Sequence, residues 1–192
     1  LLTESMLRNI KHFPAFLILA IILFIANLPF NVYPQTHKFR QIGLKDGLSQ
    51  VTVNTIFQDS QGFMWFGTQD GLNLYYGYSF KHFRSDPNNS NSLSHNWIWN
   101  IFEDSHNNIW VATWSGLNKI SPDKSVITRY YPDLDKAGSL RGERPVSIQE
   151  SKNGMIWVAT WGGGLNLYNP EKDSFLCFSS AIKEGGDLPG DY

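Results

Sequence analysis

The chain has 192 residues, a formal net charge of −1, 17% charged and 15% aromatic side chains, and one cysteine. That balance offers no basic footprint for nucleic acid. The single Cys177 excludes an internal disulfide even in an oxidising compartment and reads as a small packing residue in a strand.

Leu1 to Ser5 read as upstream read-through ahead of Met6. Residues 6–35 carry basic Arg8 and Lys11, then the apolar run Phe16-Leu-Ile-Leu-Ala-Ile-Ile-Leu-Phe-Ile-Ala26, which is a secretory signal pattern. The run is short for a membrane span, which needs about 20 apolar residues. No Ala-x-Ala precedes Gln35-Thr36, so an uncleaved N-terminal anchor stays open as the alternative. Either way residues 36–192 are expected outside the cytoplasm, in the periplasm.

From there on one motif is written three times. It reads Asp59-Ser-Gln-Gly-Phe-Met-Trp65-Phe-Gly-Thr, Asp104-Ser-His-Asn-Asn-Ile-Trp110-Val-Ala-Thr and Ser151-Lys-Asn-Gly-Met-Ile-Trp157-Val-Ala-Thr. Each copy is followed by Gly-Leu-Asn, at Gly71, Gly116 and Gly164, and the tryptophans are 45 and 47 residues apart. Leu48, Leu93 and Leu140 each precede their tryptophan by 17 residues. A period near 45 made of short strands is the mark of a β-propeller, whose four-stranded blades use about 40–50 residues each. The repeats run over about 44–88, 89–135 and 136–183, and Leu188 opens a fourth in 184–192.

Within the first copy, Val51-Thr-Val-Asn-Thr-Ile-Phe57 alternates as a half-buried strand does. Phe63-Met-Trp-Phe-Gly-Thr68 reads as a strand covered on both faces, and Leu72-Asn-Leu-Tyr-Tyr76 and Ser79-Phe-Lys-His-Phe83 complete four. Asp59 to Gly62, and its counterparts after Asp104 and Ser151, read as hairpin tips. Asp59, Asp104 and Glu150 near these tips are read as turn caps, with calcium binding as the remoter option. Trp65, Trp110 and Trp157 read as core, and Gly71, Gly116 and Gly164 as structural. Residues 37–40 stand ahead of Leu48 as Phe80-Lys-His-Phe83 stands ahead of Leu93, and read as the outermost strand of a further blade. The expected fold is therefore all-β: three complete blades of four antiparallel strands with part-blades at each end. Such an incomplete ring exposes strand edges and is expected to self-associate.

The Trp-[Val/Phe]-[Ala/Gly]-Thr…Gly-Leu-Asn unit, preceded by Leu-Ser…Ile-Phe-[Gln/Glu]-Asp-Ser, closely resembles the two-component regulator propeller repeat. The resemblance covers about residues 37–192. It implies the periplasmic sensor part of a bacterial hybrid two-component histidine kinase, in which propellers precede a further β-domain, a membrane span and the kinase. The partners it implies are the remainder of the propeller and downstream kinase domains. It lends no kinase activity to this chain.

No phosphate loop, Gly-x-Ser-x-Gly, Cys-x-x-Cys or His-x-x-x-His pair is present, so no catalytic residue, metal ligand or cofactor is assigned. At the phase just after each Trp-containing strand the copies read Gln69-Asp70, Trp114-Ser115 and Trp161-Gly162-Gly163. Equivalent loops of successive blades converge on one rim, so Trp114 and Trp161 are expected as neighbours with Gln69 and Asp70 beside them. Aromatic faces with adjacent amides and carboxylates suit a small saccharide; the plainer reading is that these tryptophans only cap blade ends. Sugar as the ligand class comes from the resemblance. A secreted lyase or glycosidase propeller and a protein-binding scaffold remain the alternatives.

Overall fold

The computed structural model describes residues 39–179 together with Leu17 and Phe24. The expected signal segment otherwise lies outside the described residues, as does the expected start of a fourth repeat. The chain divides into a unit of residues 1–40 and a compact unit of residues 41–192.

The second unit is all-β. A 3-10 turn at Leu44–Asp46 leads into three antiparallel sheets, each formed by strands consecutive in sequence. The first holds β1 (Val53–Gln58), β2 (Met64–Thr68), β3 (Gly71–Tyr75) and β4 (Phe80–Phe83). The second holds β5 (Ile98–Glu103), β6 (Ile109–Thr113), β7 (Gly116–Ile120) and β8 (Ile127–Tyr130). The third holds β9 (Arg144–Glu150), β10 (Ile156–Trp161), β11 (Gly164–Asn169) and β12 (Ser174–Phe178). The first strands β1, β5 and β9 lie side by side, and the Asn54 amide of β1 donates to the Ile98 carbonyl of β5 at 2.9 Å. Phe39 and Arg40 are not in a strand. A strand needs a ladder partner, and each sheet draws all four of its strands from its own copy.

The repeated letters explain themselves once the sheets are stacked. One core lies between the first and second sheets, with Trp65, Leu72, Leu74, Ile98, Ile109 and Ile120 among its buried members. The next lies between the second and third, built around Trp110, Leu140, Ile156, Val158 and Tyr168. Each buried indole is therefore covered by the following sheet. Trp65 and Trp110 are completely buried, whereas Trp157 is half buried, for no further sheet of the described residues packs on its side.

The polar letters of the motif form a lock at one end of each sheet. The Thr68 hydroxyl donates to the Gly71 carbonyl at 2.8 Å, and Thr113 does the same to Gly116 at 2.8 Å. The Asn73 carbonyl oxygen accepts the Ser49 N–H at 3.0 Å, and Asn118 accepts that of Ser94 at 2.8 Å. In the third copy Asn166 accepts the Arg141 N–H at 2.8 Å. All three asparagines are fully buried, where an unpaired amide would be costly. Gly71, Gly116 and Gly164 have φ of +101°, +116° and +77°, and a Cβ there would lie 2.4–2.8 Å from a carbonyl of the next strand's end. Only glycine tolerates that combination.

Candidate ligand-binding rim

The two ends of the sheets differ in what their side chains are left to do. At the hairpin-tip end the repeated aspartate is consumed by the fold. One Asp59 oxygen accepts the N–H groups of Gln61 and Phe63 at 3.1 and 2.8 Å, and the other accepts the Trp65 indole N–H at 2.9 Å. Asp104 repeats this with His106, Asn108 and Trp110, the last at 2.7 Å. Ser60 hands its N–H and hydroxyl to the Glu103 carboxylate of the next sheet at 2.6 and 2.9 Å. Ser105 does likewise to Glu150 at 2.8 and 2.6 Å. Asp-Ser in one copy and Glu in the next thus rivet neighbouring sheets.

A tyrosine pair seals the outer part of the second junction. Tyr130 and Tyr168 both donate to one Asp173 oxygen, at 2.6 and 2.7 Å. Burial, reinforced by the bond to Asp173, pushes the Tyr168 phenol up to about 12 and raises Tyr130 for the same reasons. Burial works to raise the Asp173 carboxyl, but the two hydroxyls and nearby lysines hold it below its usual value.

At the rim end the three copies diverge. The positions after Thr68, Thr113 and Thr160 are Gln69, Trp114 and Trp161. Asp70 is held by its neighbour: its carboxylate pairs with Arg84 at 2.9 Å. Trp114 is half buried, and its backbone N–H donates to the Trp97 carbonyl at 2.9 Å. Its ring meets those of Trp97 and Trp99 at centroid distances of 5.4 and 6.0 Å. The indole nitrogens of Trp97 and Trp99 are buried without a hydrogen-bond partner among the described residues. Trp161 is 64% exposed at the end of β10. It stands opposite Arg144, the first residue of β9, in the antiparallel register.

Arg144 connects the two predicted tryptophans. Its guanidinium lies 3.6 Å from the Trp114 ring centroid and 6.0 Å from that of Trp161. The structure therefore brings Trp114 and Trp161 around one cation, while Asp70 is taken up by Arg84. A shallow cavity of about 320 Å³ opens beside Trp161, with Glu143 and Leu134 in its wall. Among the described residues no group of three or more His, Cys, Asp or Glu side chains is placed to hold a metal ion.

Three members of this cluster were not legible as site residues: Trp97, Trp99 and Arg144. A signal was present in the phase. Thr52, Trp97 and Arg144 all stand four residues after the repeated leucine, so that position varies sharply where the lattice around it does not.

Comparison with known proteins agrees with this architecture. Residues 47–70 and 92–115 match the two component regulator propeller family. Over 49 residues it is 51% identical to "Histidine kinase P4" of Formosa agariphila, an alignment spanning 26% of this chain and 4% of that protein. Among solved structures, the extracellular domain described as that of hybrid two component system BT3049 from B. thetaiotaomicron superposes with a TM-score of 0.68. The match has 26% identity and covers 74% of this chain and 20% of that one. The corresponding domain of BT4673 from the same organism gives a TM-score of 0.56 at 21% identity, covering 76% and 20%. The chain thus spans about a fifth of the solved domains it matches.

Proposed function

We propose that this chain is part of an exported sensor propeller that binds a small saccharide at the rim built by Trp114, Trp161 and Arg144, and that occupancy is reported to a histidine kinase further along the signalling protein. The observation that carries the reading is Trp161: a large indole held 64% exposed by a strand end, beside a cavity and linked to Trp114 through the Arg144 guanidinium. Exposing such a ring forgoes the burial that stabilises the core indoles Trp65 and Trp110. A flat apolar face ringed by polar groups is what the C–H face and hydroxyls of a sugar need. The likeness to extracellular domains of two component systems supports export and signalling, and the role here is binding rather than turnover. The test is a glycan array probed with the full chain and with Trp161→Ala. The expected result is binding by the native chain and its loss in the variant without loss of fold; absence of binding to every glycan would overturn the reading.

A further inference from the structure

The inference rests on the saccharide reading and sharpens it: we infer that the sugar recognised at this rim is acidic, and that Arg144 holds its carboxylate.

No carboxylate of the described residues lies within ion-pair distance of the Arg144 guanidinium. Arg84, which also stands at this end of the sheets, behaves differently, for it is neutralised by Asp70 at 2.9 Å. Arg144 is half buried and sits 3.6 Å over the Trp114 ring. An arginine over an aromatic ring has its flat face covered while its in-plane N–H donors stay free to bind a carboxylate in a fork. The stacking fixes the side chain in advance, which lowers the entropy lost when a ligand arrives.

The chemistry of the cluster points the same way. A guanidinium has five donors and no acceptor, and an indole has one donor and no acceptor. A neutral sugar hydroxyl both donates and accepts, so the Arg144–Trp114 face matches it on one side only. A carboxylate is acceptor-only and matches fully. The acceptor that the remaining hydroxyls require is Glu143, in the cavity wall beside Trp161. The ligand that fits is a uronate: its ring against Trp161, a hydroxyl toward Glu143 and its carboxylate on Arg144.

The test uses the full chain on an array of uronate oligosaccharides, each printed beside its carboxyl-reduced, neutral counterpart. At least one acid should bind, with its reduced form about tenfold weaker or worse, the worth of a charged hydrogen-bonded pair. Arg144→Gln should erase that preference with the far-UV circular dichroism unchanged, and Arg144→Lys should retain part of it. Trp161→Ala should weaken both forms alike. Equal binding of acid and reduced forms, or an acid preference untouched by Arg144→Gln, would overturn the inference while leaving a saccharide site in place. Binding confined to neutral glycans would do the same. Binding of neither series would remove the saccharide reading and this inference together.

Discussion

The hairpin-tip end and the rim end of the same sheets follow opposite rules. At the tips, Asp59 and Asp104 make the same three kinds of hydrogen bond to the same repeat positions. At the rim, one repeat phase holds Gln69, Trp114 and Trp161, the first two half buried and the third exposed. A side chain that must close a turn and anchor a fully buried indole is tightly constrained, so Asp59 recurs as Asp104. A side chain that closes nothing is free to differ, and the rim is where the differences collect. In this chain, recurrence marks what builds the fold and divergence at a fixed phase marks what is available to a ligand.

The largest expected effect lies with the recurrent indoles. Trp110→Ala removes a fully buried ring and should cost about 3–5 kcal/mol, read as a lowered midpoint in denaturant unfolding of the full chain. Trp161→Ala, on an exposed ring, should stay within about 0.5 kcal/mol of the native value. A smaller effect is expected at the tips. Asp104→Ala leaves the Trp110 indole and two backbone N–H groups without their acceptor and should cost about 2–3 kcal/mol. The third copy allows the converse experiment. Ser151 stands where the others have aspartate, and its hydroxyl bonds the Met155 carbonyl at 3.1 Å instead. Ser151→Asp should cap the tip N–H groups and reach Trp157, raising stability by about 1 kcal/mol; no gain would mean the aspartate works only under a covering sheet.

The smallest effect is one of pH. The Tyr168 phenol is held up at about 12 against an unfolded value near 10. The neutral phenol is thus the form that the fold favours. Its contribution is complete below pH ~10 and is lost as pH rises through about 12. Thermal melts across that window should show a decline that is shallower in Tyr168→Phe.

Most of the architecture was legible because the motif's letters each have a local physical cause. The glycines of Gly-Leu-Asn are forced by positive φ and a carbonyl in the way. The hydroxyl of Thr68 and the amide of Asn73 bond within their own copy. Spacing alone reveals such positions. The aspartate's bond to the indole six residues on was less legible: turn capping follows from the tip, but its second oxygen is spoken for only once the strand's side chains are placed. The rim was legible in part. Period placed Trp114 and Trp161 at one phase, yet the arginine between them comes from the start of the next sheet's first strand for Trp114 and from the same sheet for Trp161. Which side chain crosses a junction depends on how sheets stack, and no single copy of the motif encodes that. For the same reason, Asp70 reads as available in the sequence, whereas in the fold Arg84 holds it.

The most direct test of the division between recurrent and divergent positions measures two quantities on two variants. Unfolding free energy and saccharide affinity are determined for Trp161→Ala and Trp110→Ala in the full chain. The account predicts that Trp161→Ala keeps its stability and loses its ligand, while Trp110→Ala loses its stability. A Trp161→Ala protein that unfolds as readily as Trp110→Ala, or that binds saccharide as the native chain does, would contradict it.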